Sequence, residues 1–349
     1  MKKIAFTGGC SAGHVVPNLA LMEEILKSGR ADVCYFGTDG IEKSLVAAQG
    51  APYFSFACPK LIRGKSWRAF QNNAKIPFRF WKSVKAAELG LKEFSPDVVF
   101  SKGGYVALPV VTAAARLGIP CFTHESDLSA GLANKLIAKK CKAVFTSFPE
   151  TAERFKNGKF SGAPMRASLF QKTKSEGKRA FGIKTDRKVL LIFGGGSGSQ
   201  VINEAVRNQL AKLTSRYFVL HVCGKGNVAF CNFENYRQTE FIADMGAAYA
   251  AADLIVSRAG AGAIFEIIAL KKPAIFVPLE SASRGDQKQN AAYFQNKGLC
   301  RVLSQSNLSQ LTDELLSLEK DDALRERLAT ADFQNGNGYI LKTLAPYLQ

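Results

Sequence analysis

Nowhere does this sequence assemble the ~18 to 20 consecutive apolar residues that a spanning helix needs. Met1-Lys2-Lys3 leads into only Ile4-Ala5-Phe6 before glycines appear, too short for a secretory signal, so a cytosolic chain is expected. The eight cysteines never form a Cys-x-x-Cys pair, which points away from a zinc site or a disulfide framework. No Asp-x-Asp occurs, so a carboxylate pair for a metal–diphosphate complex is missing, and neither a metal nor another cofactor is expected. Acids are scarce: 29 Asp+Glu face 47 Lys+Arg, and the formal charge of +18 implies attraction to nucleic acid, a phosphorylated metabolite or acidic lipid. A hydrophobic content of 47% over 349 residues excludes disorder and suffices for about two domains with proper cores.

What is present is one pattern, twice. Lys3-Ile4-Ala5-Phe6-Thr7 reads as a buried strand and Gly8 to His14 as a glycine loop; Pro17 to Lys27, with Leu19, Met22, Ile25 and Leu26 at helical spacing, reads as a helix. Midway, Val189 to Phe193 is an apolar strand, Gly194-Gly195-Gly196-Ser197-Gly198 a loop, and Val201 to Leu213 a predicted helix. Two such openings predict two doubly wound α/β domains in series. Asp97-Val98-Val99-Phe100 runs through Gly103-Gly104 into an Ala-rich helix that ends near Leu117-Gly118, where Gly118 suits the C′ position, before the strand Cys121-Phe122-Thr123. Asp253 to Ser257 leads through Arg258-Ala259-Gly260-Ala261-Gly262 to a helix ending at Leu270 and then a strand within Pro273 to Pro278. Strands alternating with helices predict parallel sheets. The linker is expected within 162–170, dividing the chain into 1–163 and 164–349, with about the last ten residues packing back on the first domain.

The first loop is Gly-x-x-x-Gly with no Gly-Lys-Ser/Thr after it, so neither the dinucleotide fingerprint nor an ATPase loop is satisfied, and Asp39 after the second strand is weak support for a ribose site. Small residues at a helix start still let backbone amides approach an anion. Ser257 to Glu266 has the same character, suited to a diphosphate, with Glu266 about one turn inside the helix, where it could take ribose hydroxyls or simply be a solvated first-turn acid. In Ser283-Arg284-Gly285-Asp286-Gln287-Lys288-Gln289-Asn290, Gln287 and Asn290 share one helical face that suits sugar hydroxyls, against the plainer reading of a polar helix start. His14 follows Gly13 at a helix start, where the dipole favours a neutral imidazole able to accept a proton. His124-Glu125-Ser126-Asp127 lies at the carboxyl end of a strand, with structural hydrogen bonding favoured over catalysis for the first two; His221 sits mid-strand as core.

The basic charge has a focus. Lys60 to Lys92 holds nine basic residues (Lys60, Arg63, Lys65, Arg68, Lys75, Arg79, Lys82, Lys85, Lys92) and one acid, Glu88, interleaved with Trp67, Phe70, Ile76, Phe78, Phe80 and Trp81. This suits an anionic membrane surface. The competitors are an RNA-stacking surface and a helix whose Phe78, Trp81 and Val84 face a core.

These motifs together resemble the MurG family of N-acetylglucosaminyltransferases of bacterial peptidoglycan synthesis, over nearly the full length. The resemblance rests on Thr7 to Pro17, Gly103-Gly104-Tyr105-Val106, His124 to Asp127 with Gly131 to Lys135, Ser161 to Arg166, the loop at Gly194, Ser257-Arg258-Ala259-Gly260 with Glu266, and Asp286-Gln287 with Asn290. It implies a GT-B architecture, two Rossmann-like doubly wound parallel-sheet domains with an interdomain cleft. It also implies inverting transfer of GlcNAc from UDP-GlcNAc to the C4 hydroxyl of undecaprenyl-diphospho-MurNAc-pentapeptide. Carried over by position, His14 is the base. Glu266 binds the ribose and Ile242 the uracil, while Ala261, Gly262, Ala263, Ile264 and Phe265 line the diphosphate. Gln287 and Asn290 read the sugar, Arg166 reaches the nucleotide, and Ser11, Ala12, Gly13, Asp127, Gly196 and Ser197 complete the donor site. Acceptor and membrane contacts are expected at Ile76, Phe78, Arg79, Phe80, Trp81, Lys82, Gly103, Gly104 and Tyr105. The implied partners are the two substrates, anionic inner-membrane lipids and other cell-wall synthesis proteins, not nucleic acid, with the enzyme peripheral on the cytoplasmic face. The sequence departs from the family at Cys10, usually Gly, Ser11, usually Thr, and at Ala12, Ala163, Asp127 and the order Gly196-Ser197. Rival readings are a UDP-sugar glycolipid synthase of the same architecture and a basic nucleic-acid-binding protein.

Overall fold

The computed structural model describes residues 1–60, 67–280 and 285–348. Arg63, Lys65, Ser283 and Arg284, named above, lie outside the described residues. The chain divides into two compact units, Met1–Arg166 with Gln334–Gln349, and Ala167–Phe333.

In the first unit, near-continuous apolar runs form strands β1 (Lys2–Thr7), β2 (Ala31–Gly37), β3 (Tyr53–Ser55), β4 (Val98–Ser101), β5 (Cys121–Glu125), β6 (Ala143–Thr146) and β7 (Gly158–Phe160). All pair in parallel, in the order β3-β2-β1-β4-β5-β6-β7. Helices α1 (Ala12–Ser28), α2 (Ile41–Ala47), α3 (Trp67–Ala74), α4 (Ile76–Phe94), α5 (Gly104–Arg116), α6 (Leu132–Ala138) and α7 (Pro149–Ala152) connect them. The pleat sends alternate strand residues to opposite faces. Ile4, Phe6, Tyr35 and Phe100 join Leu19, Met22 and Ile25 of α1 on one face, while Ala5, Cys34, Phe36 and Val99 join α4 and α5 through Val84, Leu91 and Val110 on the other. Helix α4 approaches the sheet closely because residue 90 is glycine: a Cβ there would stand 2.8 Å from the Phe36 ring and 3.0 Å from that of Phe54. Gly118, at φ +74°, ends α5 as its position in the sequence predicts.

The second unit repeats the design with six parallel strands, β8 (Lys188–Phe193), β9 (Tyr217–Val222), β10 (Tyr236–Thr239), β11 (Leu254–Ser257), β12 (Ala274–Phe276) and β13 (Arg301–Val302), ordered β10-β9-β8-β11-β12-β13. Its helices are α8 (Lys174–Ala180), α9 (Gln200–Arg207), α10 (Leu210–Arg216), α11 (Met245–Ala251), α12 (Ala261–Ala269), α13 (Asp286–Asn296), α14 (Leu311–Glu319) and α15 (Asp322–Thr330). Helix α16 (Asn337–Leu344) then belongs to the first unit.

Four features differ from the sequence reading. The first helix starts at Ala12, so His14 lies inside it rather than before it. The single helix predicted over 201–213 is two, broken at Asn208-Gln209, where the Gln209 amide is drawn aside to accept from Thr312 N and Oγ1 and to donate to Leu308 O. The stretch between the linker and Val189, where the sequence reading names no element, contains α8, started by a capping box in which Thr173 and Glu176 satisfy each other's backbone N–H. Finally, the units divide after Arg166 rather than 163, and the returning tail begins at Gln334. That return is held by Gly336 N donating to Ala163 O, by Asn337 pairing with both backbone groups of Met165, and by Ile340 and Leu344 in the first core.

In both sheets the strand order reverses beside the first strand, between β1 and β4 and between β8 and β11. Ligands of open parallel sheets bind outside the carboxyl ends of the strands at such switch points. Both glycine loops sit there.

Candidate active site

At the first switch point β1 ends in Gly8-Gly9-Cys10-Ser11 and α1 begins. Ser11 occupies the N-cap without capping the helix through its side chain; its Oγ instead lies 2.9 Å from His14 Nδ1. Cys10 takes a left-handed φ of +73° and donates its N–H to Glu42 Oε2, a fully buried carboxylate that also accepts from Thr38 N and Oγ1. Asp39, the weak ribose candidate, is exposed and paired with Lys43 at 2.7 Å. Ala12 is half-buried and Gly13 exposed at the open helix start.

Strand β4 delivers Lys102-Gly103-Gly104-Tyr105 to the same edge. Gly103, at φ +83°, packs so tightly on the Asn134 amide that a side chain there would overlap it. Gly104 N donates to Asn134 Oδ1 at 3.0 Å, and a Cβ on Gly104 would sit 3.5 Å from His14 Nε2, so the imidazole lies directly over this turn. Asn134 in turn donates to Glu125 Oε2 at 2.7 Å, and Glu125 also accepts from the backbone N–H groups of Asp127 and Gly131. Glu125 is therefore a buried clamp that shapes the loop carrying Ser126 and Asp127. His124 donates Nε2–H to Gly162 O, leaving Nδ1 buried and unpartnered, and burial with the nearby Lys102 charge holds it well below the usual histidine pKa. Lys102 itself is 1% exposed, and its ammonium donates to Ser126 Oγ at 2.6 Å. Burial lowers it to about 8, against Glu125 and Asp127, which pull it up. The His14 imidazole is lowered to about 4, first by burial and then by Lys102. It is neutral at physiological pH, able to accept a proton. Nothing in the sequence distinguished Lys102 from the other basic residues.

Helix α4 carries the expected aromatic cluster, and its buried face is Ser83, Val84, Ala87, Gly90 and Leu91. Phe78 is 78% exposed and Trp81 53%, so the core-facing alternative for these two fails, whereas Phe80 packs partly into the core and Val84 fully. Phe78, Trp81, Lys82, Lys85, Leu89 and Lys92 follow one another at helical spacing on the exposed face. Arg79 is exposed beside them, Ile76 is half-buried in the first turn, and Arg116 lies over the Trp81 ring at 5.4 Å. Tyr105 is half-buried and accepts at its carbonyl from Cys58 Sγ.

At the second switch point, Gly196 and Ser197 are exposed in the loop between β8 and α9. Strand β11 ends at Ser257, and Arg258 then turns inward: its guanidinium donates to Val277 O, Pro278 O, Ser199 Oγ and Gln305 Oε1, bracing three loops of this edge. Helix α12 starts at Ala261 behind Gly260, with no side-chain cap and only the small residues Gly262 and Ala263 half-buried in its first turn. Nothing lies within 4 Å of where Cβ atoms on Gly260 or Gly262 would be. Its first amides thus face open space with the positive end of the helix dipole, an arrangement fit for a phosphate. Ile264 and Phe265 are buried beneath it. Glu266, one turn in, is oriented by Tyr249 OH at 3.0 Å. Gln287 uses its Oε1 to accept from Leu279 N, Asn290 is fully buried on the same helix, and Ile242 is buried ahead of α11. Arg166, the last residue of the first unit's main segment, has a buried Nε with no hydrogen-bond partner. His221 is core as expected, its Nε2–H donated to Asn203 and its Nδ1 accepting from Tyr236 OH. Among the described residues, no group of three or more His, Cys, Asp or Glu is placed to hold a metal ion.

Two parallel-sheet α/β units, each with a glycine loop at its switch point, define a GT-B glycosyltransferase. The glycosyltransferase family 28 N-terminal domain matches residues 4–146 and the family 28 C-terminal domain residues 189–343. The chain belongs to glycosyltransferase family 28, and within it to the MurG transferases. It is 42% identical over 328 residues to the UDP-N-acetylglucosamine–N-acetylmuramyl-(pentapeptide) pyrophosphoryl-undecaprenol N-acetylglucosamine transferase of Clostridium perfringens strain SM101, covering 91% of this chain and 90% of that protein. The protein of the same name from Clostridium botulinum strain Langeland is 42% identical over 320 residues, 89% of each chain. The crystal structure of Acinetobacter baumannii MurG superposes with a TM-score of 0.73 at 26% identity, over 99% of this chain and 100% of that one. A calicheamicin glycosyltransferase, 18% identical with a TM-score of 0.71 over 100% and 98% of the two chains, shares the fold.

Proposed function

We propose that this chain transfers GlcNAc from UDP-GlcNAc, with inversion, to the C4 hydroxyl of undecaprenyl-diphospho-MurNAc-pentapeptide, forming the lipid-linked disaccharide precursor of peptidoglycan. The observation that carries the reading is the neutral imidazole of His14, lowered to about 4 and poised over Gly104 at the switch point. In the tautomer that donates Nδ1–H to Ser11 Oγ, Nε2 is the atom that takes a proton. The acceptor C4 oxygen loses that proton to Nε2 and forms a bond to the anomeric carbon; the bond from that carbon to the phosphate oxygen breaks, and its electron pair leaves with UDP. The uncapped amides of α12 and the guanidinium of Arg166 take up the developing charge, so the chain's own groups supply what a metal would. Glu266, held by Tyr249, receives the ribose hydroxyls.

The acceptor hangs from a lipid, and the exposed face of α4 supplies the matching surface: Phe78, Trp81 and Leu89 at the acyl boundary, with Arg79, Lys82, Lys85 and Lys92 toward anionic headgroups. Each cation near such a surface contributes about 1 kcal/mol. In this reading the enzyme works peripherally, at the cytoplasmic face of the membrane; among the described residues no helix is long and apolar enough to cross one. UDP release from UDP-GlcNAc, measured with lipid-linked MurNAc-pentapeptide, with diacylglycerol and with neither, tests the reaction. Release that diacylglycerol supports and the MurNAc lipid does not would replace this reading with a glycolipid synthase. Sedimentation with anionic vesicles tests the surface, and binding undiminished after Arg79, Phe80, Trp81 and Lys82 are changed to Ser would exclude it.

A further inference from the structure

The first switch point contains a charge that the mechanism above does not use. Lys102 is 1% exposed, in a position where burial of an ammonium is costly unless it is compensated. Compensation here is indirect. Its hydrogen bond goes to a neutral hydroxyl, Ser126 Oγ at 2.6 Å. Both oxygens of Glu125 are engaged by the N–H groups of Asp127, Gly131 and Asn134. The root of the side chain nevertheless lies beside the turn that carries His14. Gly8 lies between it and α1, such that a Cβ on Gly8 would be 3.2 Å from Lys102 Cβ and 2.6 Å from the His14 carbonyl oxygen. Two residues on, Gly104 lies under the His14 ring.

We propose that Lys102 is a positioning residue: its buried ammonium keeps the His14 imidazole unprotonated and, through Ser126, fixes the loop that carries Asp127. The inference rests on the reading of His14 as the base. A cation within reach of an imidazole disfavours a second positive charge there, and in a desolvated site the effect is larger than at a surface. Among the described residues, the other titratable groups of this edge are Cys10 before α1, Glu42 of α2, Cys58 after β3, Tyr105 of α5, and His124, Glu125 and Asp127 of β5 and its loop. Glu42 is engaged by Cys10 N and Thr38, and Glu125 by its three donors, while Glu125 and Asp127 still favour the charged form of Lys102. Lys102 is the cation that acts on both His14 and His124.

The test is the titration of labelled histidine in the full chain by NMR. There are three histidines, and His14→Gln assigns the signal. In the parent the His14 ring titrates with a midpoint of about 4. Lys102→Met raises that midpoint by about one pH unit or more, whereas Ser126→Ala, which keeps the ammonium, leaves it near the parent value. The parent ring signal also carries a second inflection near pH 8, where Lys102 loses its proton, and this vanishes in Lys102→Met. A midpoint unchanged by Lys102→Met overturns the proposal; should that variant not fold, absence of the inflection in the parent does so alone. The acid limb of kcat separates the two readings. If the imidazole midpoint moves and the limb follows, both stand; if the midpoint moves and the limb stays, His14 is not the base, while the hold of Lys102 on its protonation remains.

Discussion

The two switch points are built on the same strand order and present opposite kinds of chemical groups. At the first, side chains that gain or lose protons crowd the strand ends: His14, Lys102, His124, Glu125 and Asp127 lie at or just beyond the carboxyl ends of the three neighbouring strands β1, β4 and β5. At the second, the cation Arg258 is turned inward as a brace, and what faces outward is backbone, the uncapped amides of α12 behind Gly260. In the proposed reaction one edge handles a proton and the other an anion. The topology supplies a place; the residues within a turn of each strand end decide its use.

Removing the proton handler should have the largest effect. His14→Ala lowers single-turnover rate by about 10² or more, and a loss below tenfold with chemistry rate-limiting would remove it from that role. The anion edge should answer differently. Glu266→Ala raises the donor KM by about tenfold or more with kcat held, since it removes binding shared by ground and transition states; an unchanged KM would take Glu266 out of the site.

Acid sharpens the contrast through stability. His14 titrates at about 4, His221 at about 3 and His124 well below its usual value, so each is neutral when folded and binds a proton when unfolded below about 6.5. Because the unfolded chain then holds more protons, stability is fully present above that pH and drains away as pH falls through it toward 4 and 3. Two of these histidines belong to the first unit and one to the second, so denaturation followed from pH 7 to 4.5 should show the first unit losing more. Equal loss, or a flat profile, would contradict the burial assigned to them. Lys102 acts at the other end. Its folded value of about 8 lies below the ordinary lysine range, so the first unit gains stability as pH rises from 8 through that range.

The smallest effect concerns Cys10, a non-glycine residue at φ +73°. Cys10→Gly relieves the left-handed strain but loosens the unfolded chain, for a net gain of about 0.5 kcal/mol by chemical denaturation. A net loss would mean that the Cys10 side chain contributes packing that outweighs its strain.

Much of this was legible before the fold. The strands declared themselves as apolar runs, and the two glycine loops marked both switch points because close backbone packing at a strand-to-helix turn leaves a compositional trace. The capping box at Thr173 and Glu176 was equally readable, though it lay hidden in a stretch dominated by lysine. The break between α9 and α10 was not readable, because Gln209 is captured by residues about a hundred positions away. Nor was the fate of Phe78 and Trp81, whose spacing fits a core as well as an exposed stripe.

The amino-acid order by itself determined the parallel α/β character, the paired nucleotide-type openings and the cationic aromatic segment, since these follow from local periodicity, backbone freedom at glycine and summed charge. Tertiary structure alone decided that one lysine among 47 basic residues is buried beside His14, that Glu125 and Asn134 clamp a loop, that Arg258 braces its edge from within, and that the chain's last helix returns to the first unit. The reason is physical. Desolvation and hydrogen-bond partnership belong to neighbours brought together from distant segments, and one-dimensional spacing carries no record of which neighbours those will be.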